Sequence, residues 1–280
     1  MHHTFRLFAA VLAIPFALAQ NTPTATVDDA GSILDKALKD HNPDTRKEAL
    51  IALSLAGTGE PYISWIIAMK DDKDVEVRVA MVSSLADLKS PRSTAALRDA
   101  LQDEVPEVSF AAAKALWSMG DPAGKEALLA VMDFESKTKS GYLTRQKRDA
   151  MRLMHTPKPM FVAMLKGGVG LVPVPGLGAG ASSLIGLITD PSISGRASAA
   201  LLLGKDKDPK TLAALKDGLT DKDWSVRAAS VHSLALRNDP KLLKDIEPLL
   251  ADKKENVRLR AAAAYLRLNM LRHTKARPHA

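Results

Sequence analysis

The amino-acid sequence predicts an all-α fold, an α-solenoid of about seven stacked helix pairs. Three observations lead to this prediction. An element that ends in arginine recurs about every 31 residues, a set of prolines recurs with the same period, and no useful stretch alternates between polar and apolar residues as a β-strand would. A gap of 87 residues interrupts both periods at the same place. Two registers that share one period and one gap indicate a repeat protein.

The first register is an element in which an aspartate precedes an arginine by six residues. It is most complete at residues 72–78, 221–227 and 252–258, and each copy runs into an alanine-rich helical pattern. Ser109 takes the arginine position in a degenerate copy. Over all copies the aspartates are Asp40, Asp72, Asp103, Asp190, Asp221 and Asp252, and the arginines are Arg46, Arg78, Arg196, Arg227 and Arg258.

The second register consists of prolines that open the preceding helix, where the missing N–H costs nothing because that donor has no partner within the helix. Each unit therefore reads as a helix opened by proline, a turn that holds the aspartates, and a second helix that follows the arginine. Such a unit buries its apolar face only against its neighbours, so the units are expected to stack. The prolines are Pro61, Pro91, Pro122, Pro209 and Pro240.

The Asp-x-Asp-x-x-Val-Arg element and the alanine-rich second helix resemble the HEAT-repeat family, especially the short bacterial repeats grouped with the bilin-lyase-like HEAT repeats. The resemblance covers about residues 32–271. It implies an α-solenoid in which the aspartates and arginines form a structural ladder between adjacent repeats. Some relatives are iron-dependent hydroxylases or attach bilins, but no histidine of this chain is followed by glutamate, as the hydroxylase motif requires.

The N-terminus has the features of a cleaved signal peptide at residues 1–19: a positive start, an apolar run and a small–x–small site. We therefore expect a protein exported to the periplasm or secreted. A polar linker is predicted at residues 20–31. Two blocks of repeats are predicted at 32–155 and 191–272, followed by a basic tail at 273–280.

An apolar insertion at residues 156–190 separates the two blocks. Its residues 167–189 carry no charge and include seven of the sixteen glycines, and its two interior prolines disfavour a single transmembrane helix. A hairpin fits better, and two interpretations of it remain open. It packs as an enlarged repeat, or its tip contacts a membrane or a partner groove. The candidate contact residues at the tip are Leu171, Val172, Val174 and Leu177.

The formal charge of +7 is unevenly distributed. After removal of the signal peptide, the part up to residue 140 is acidic and the remainder is strongly basic. Arg145, Arg148 and Arg152 lead into the insertion and are further candidate contacts, with a protein partner or an anionic membrane surface. Nucleic acid is not expected, because export and the low aromatic content argue against it.

The tryptophans, and the absence of residues suited to catalysis, further limit the functions that the sequence allows. Trp224 occupies a turn position and is a candidate exposed contact, whereas Trp65 and Trp117 fall on helix positions typical of a core. With no cysteine and no two histidines at metal-ligand spacing in the mature chain, we predict no catalytic residue, no metal and no cofactor. The sequence therefore favours a binding scaffold, with attachment to a membrane surface through residues 167–188 as the alternative.

Overall fold

The computed structural model describes residues 26–137 and 194–275, and both ranges are helical without a strand. The prediction of an all-α fold is confirmed for them. The helices before the gap are α1 (Val27–Leu38), α2 (Pro43–Ala56), α3 (Tyr62–Ile67), α4 (Val75–Leu88), α5 (Pro91–Ala100), α6 (Pro106–Ser118) and α7 (Pro122–Lys137). Those after it are α8 (Gly195–Leu202), α9 (Pro209–Asp217), α10 (Trp224–Leu236), α11 (Leu243–Ile246) and α12 (Glu255–Lys275).

Short polar side chains set the starts of the helices. Asp74 and Asp223, the second aspartates of the repeat element, cap α4 and α10 by accepting backbone N–H bonds from the first turn. Proline opens α5 and α9 as the second register predicts. Thr26 and Asp29 form a reciprocal capping box, so α1 begins at Val27. Residues 27–31 therefore belong to the first helix and not to the predicted linker.

Within each block, consecutive second helices of the pairs pack side by side. Helix α2 packs against α4 and α4 against α6, while α8 packs against α10 and α10 against α12. One apolar cluster runs through both blocks, from Leu34 and Leu53 to Leu234 and Leu266. The repeats thus share a continuous core, as a solenoid requires.

The two blocks join through the ends of the chain. The last helix, α12, packs against both α1 and α2, and its residues 261–264 are alanines with no exposed surface. Small side chains let neighbouring helices approach closely at this boundary. The order of the second helices in space is therefore α8, α10, α12, α2, α4 and α6. The first and last of the described helices, α1 and α12, therefore lie next to each other.

Candidate functional site: the repeat ladder, the junction and an exposed stripe

A ladder of ion pairs connects neighbouring repeats. Arg46 donates from Nε and Nη2 to the two carboxylate oxygens of Asp72, both at 2.8 Å, and both side chains are buried. A pair of parallel hydrogen bonds of this kind fixes direction as well as distance. The same arrangement joins Arg78 to Asp103 at 2.9 and 3.1 Å and Arg227 to Asp252 at 2.7 and 2.8 Å, and the more exposed Arg196 pairs with Asp221.

Ladder residues also hold the backbone of their own repeat. Arg227 donates from Nη1 to the carbonyl oxygen of Asp221, six residues earlier, at 2.8 Å. Asp252 accepts the backbone N–H of Lys254 at 2.8 Å and so closes the turn before the next helix. The guanidinium of Arg227 lowers the pKa of Asp252, against the opposing effect of burial. The Arg227–Asp252 step of the ladder is therefore built from buried, ionised groups whose hydrogen bonds are satisfied.

The ladder changes at its degenerate and terminal positions. Ser109 turns its hydroxyl to the carbonyl oxygen of Pro106, so no ladder cation stands there. Arg98 of α5 instead pairs with Asp121, whose carboxylate also accepts the N–H of Ala123 at the start of α7. Arg258 bonds the carbonyl oxygen of Asp252 at 2.8 Å, and Asp40 accepts the backbone N–H of Asn42. Asp190 lies outside the described residues.

A second set of bonds between repeats involves serine. Ser84 donates to the carbonyl oxygen of Leu50 at 2.9 Å, and Ser233 donates to that of Ala200 at the same distance. Both serines lie six residues after the ladder arginine of their helix. These serines were not predicted, although a serine at the same position in two repeats is a signal visible in the sequence.

The boundary between the blocks carries its own polar contacts. Arg260 of α12 donates to Glu48 of α2 at 3.0 Å, and Arg267 donates to the carbonyl oxygen of Leu55 at 3.1 Å. Burial, followed by the positive charges of Arg260 and Arg267, lowers the pKa of His232 of α10 to about 3. We call Glu48, His232, Arg260 and Arg267 the junction cluster. Spacing rules could not find it, because it brings together three helices from both blocks.

An exposed aromatic residue stands on α6. Phe110, Lys114 and Trp117 lie on one face of this helix, and we call them the α6 stripe. The side-chain nitrogen of Lys114 lies 5.5 Å from the centre of the Phe110 ring, and burial lowers the pKa of Lys114. Trp117 is 55% exposed, so the prediction that it belongs to the core is wrong.

The other two tryptophans are partly buried. Trp65 packs against the core and meets the ring of Tyr62 edge-on at 5.8 Å. Trp224, predicted as an exposed contact, also packs against the core, since it is the first residue of α10 and faces its neighbours there. The remaining candidate contacts lie outside the described residues: Arg145, Arg148, Arg152, Leu171, Val172, Val174 and Leu177.

The described residues hold neither a candidate metal site nor a candidate membrane span. Nowhere in 26–137 or 194–275 do three or more histidine, aspartate or glutamate side chains come together as a metal ion would need. Of the helices in these ranges, none combines the length and the apolar character that crossing a bilayer requires.

The comparison with protein families agrees with the repeat pattern. A sequence model of HEAT repeats matches residues 62–139 and 181–267. A search of curated proteins found no match. Among solved structures, human deoxyhypusine hydroxylase in complex with glycerol is similar over 88% of this chain and 97% of its own, with 18% identity and a TM-score of 0.32.

Proposed function

Because this chain belongs to the HEAT-repeat family, we propose that it is an exported, non-catalytic scaffold that binds another protein. HEAT repeats are commonly platforms for protein interaction. The α6 stripe carries the proposal within the described residues, because it places an exposed tryptophan on the same helix face as a second aromatic ring and a cation. Tryptophan is enriched among the residues that contribute most to protein interfaces.

The stripe continues across the neighbouring second helices. Its members lie one, five and eight residues after Ser109, the degenerate ladder position. Of the six positions at the same offsets after the ladder arginines of α2 and α4, five are also partly exposed and one, Ala86, is buried. Since the second helices pack side by side, these positions form one surface that a partner can cover. They are Lys47, Ile51 and Ser54 on α2 and Val79 and Ser83 on α4.

A pull-down from the cell envelope tests this surface. We expect the wild-type chain to retain a partner that Trp117→Ala loses. Val27→Ala removes an exposed apolar side chain from α1 and is the matched control, which should retain the same partner. If the wild-type chain and Trp117→Ala capture the same proteins in the same amounts, the α6 stripe is not the binding surface.

Export is part of the proposal and rests on the features of residues 1–19. N-terminal sequencing of the mature protein should begin at Gln20. A chain that retains Met1 in the cell would contradict export and leave the binding surface to be tested separately.

A second function is favoured by the uncharged stretch at residues 167–189 and the arginines that precede it. Such a segment suits attachment to an anionic membrane surface. Flotation with anionic liposomes, with and without residues 171–177, tests this alternative. The intact chain should float and the deletion variant should not, whereas absence of the intact chain from the liposome fraction would eliminate the alternative.

A further inference from the structure

The described stack ends in an incomplete helix pair on each side. Helix α7 opens with Pro122, as the first helices of other pairs open with proline, and it packs against α6 of the preceding pair. Helix α8 carries the ladder residue Arg196 and is therefore a second helix, which packs against α10. Within the described residues, α7 has no second helix and α8 has no first helix. Since repeats bury their apolar faces only against neighbours, both ends of the stack are open.

Helix α7 holds two large apolar side chains outside its contact with α6. Gly124 faces α6, because a Cβ atom there would lie 2.7 Å from the carbonyl oxygen of Ala113. Val131, seven residues later, lies on the same face of α7 and is buried. Leu129 and Met132, three residues apart on another face, are 50% and 69% exposed. Terminal repeats of a solenoid ordinarily have a polar outer surface, so this face suits a further helix.

Helix α8 offers a smooth apolar face at the other end of the stack. Its buried residues Ala197 and Leu201 belong to one apolar cluster with side chains of α10. Gly195, Ala199 and Leu202 follow one another at spacings of four and three residues, on the opposite side of the helix, and all three are exposed. Leu202 is 55% exposed, and the other two residues are small. Another helix can therefore approach this side of α8 closely.

The two blocks carry opposite net charges. Residues 26–137 contain 13 lysines and arginines against 20 aspartates and glutamates, which gives a net charge of −7. Residues 194–275 contain 17 basic and 10 acidic residues, which gives +7. The α7 end belongs to the acidic block and the α8 end to the basic block. Two like ends therefore repel each other, whereas an α7 end attracts an α8 end.

We propose that the chain associates head to tail with a second copy of itself, so that α7 of one protomer packs against α8 of the next. This contact joins a first helix that lacks a second to a second helix that lacks a first, and it completes one helix pair from two protomers. Within one chain, four second helices separate α8 from α6 and hold the two ends apart. The contact uses two different surfaces and leaves one of each free, so further copies can add.

Sedimentation velocity of the full chain at low salt tests the association. The share of species heavier than one chain should rise with protein concentration and fall with added salt, because salt screens the attraction between the blocks. Met132→Glu and Leu202→Glu each block one end and should weaken self-association at least tenfold. Val27→Glu changes an exposed apolar residue of α1, outside both ends, and should associate like the wild type. A wild-type chain that stays monomeric at every concentration would overturn the proposal, as expected if its own residues 138–193 cover both ends.

A mixture of the two blocked variants tests the direction of the contact. Met132→Glu keeps an intact α8 end and Leu202→Glu keeps an intact α7 end, so together they can make one contact and no more. We expect the mixture to form dimers with one chain of each variant, although each variant alone is monomeric. If the mixture stays monomeric while both variants unfold at the wild-type Tm, the head-to-tail contact is wrong. The concentration and salt dependence of the wild type tests the association without relying on the folding of either variant.

The α6 stripe takes no part in this contact. Loss of a captured partner in Trp117→Ala and loss of self-association in Met132→Glu therefore report on two separate surfaces, and either proposal can fail without the other.

Discussion

Arg260 in the last helix donates to Glu48 in the second helix at 3.0 Å, although 212 residues separate them. Each residue lies two positions after the ladder arginine of its own helix, Arg258 and Arg46. Arg267 and Leu55, which also bond each other, both lie nine positions after those arginines. Helices α12 and α2 are therefore parallel and in register, and the two blocks join as consecutive repeats would.

Glu48→Ala should destabilise the protein by about 2–4 kcal/mol, because it removes the carboxylate partner of a buried guanidinium. Urea unfolding measures this loss in the free energy of unfolding. Glu60→Ala is the control, since its pair with Arg92 is exposed and should be worth less than about 1 kcal/mol. Equal losses of unfolding free energy in the two variants would show that leaving the buried Arg260 without its carboxylate costs no more than breaking an exposed pair.

Arg227→Lys should cost about 1–3 kcal/mol of stability. Lysine keeps the charge but cannot make both bonds to Asp252 and also reach the carbonyl oxygen of Asp221. Arg196→Lys changes the equivalent but more exposed ladder position and should cost less than about 1 kcal/mol. Urea unfolding midpoints compare the two variants, and a larger loss at Arg196 would contradict the importance of the buried pairing.

His232 should make the protein less stable as the pH falls from about 6.5 towards 3. Its pKa is about 3 in the folded chain against 6.5 without the protein environment, because burial and the charges of Arg260 and Arg267 oppose protonation. Within this window the unfolded chain binds a proton that the folded chain does not, so each pH unit lowers the free energy of unfolding by up to about 1.4 kcal/mol. Above pH 6.5 the contribution is complete.

His232→Gln provides the comparison, with urea unfolding at pH 7.5 and pH 5.0 in phosphate-free buffer. Ladder aspartates such as Asp252, whose pKa is lowered below 3.8, stay ionised across this range. The wild type should therefore lose about 2 kcal/mol more than the variant between the two pH values. The same loss in both proteins would mean that His232 is protonated in the folded chain.

Gly124→Ala should destabilise the contact between α6 and α7 by about 1–3 kcal/mol. A Cβ atom at Gly124 would lie 2.3 Å from the backbone nitrogen of Trp117 and 2.7 Å from the carbonyl oxygen of Ala113, so the two helices would have to separate. Gly195→Ala is the control, because a Cβ atom there has no neighbour within 4 Å. Thermal unfolding should show a lower Tm only for Gly124→Ala, and an unchanged Tm would contradict the close approach.

The sequence predicted features that depend on a few adjacent residues, but not features that depend on a residue's position in the stack. The element that ends at Arg227 identified a turn, a capping residue and the start of a helix, since these depend on a few adjacent residues. Exposure of an aromatic side chain depends on which helices surround it. The prediction therefore failed for Trp117, while Trp224 is partly buried against the core and its role as a contact stays a prediction.

The period of about 31 residues was enough to identify the helix pairs, the family and the residues of the ladder, because each pair repeats the same apolar face and the same turn. It could not identify the neighbours at the ends of the two blocks. All repeats offer similar apolar faces, so periodicity alone does not say which of them meet. Only the tertiary structure shows that α12 packs beside α1 and α2, through contacts such as that of Arg260 with Glu48.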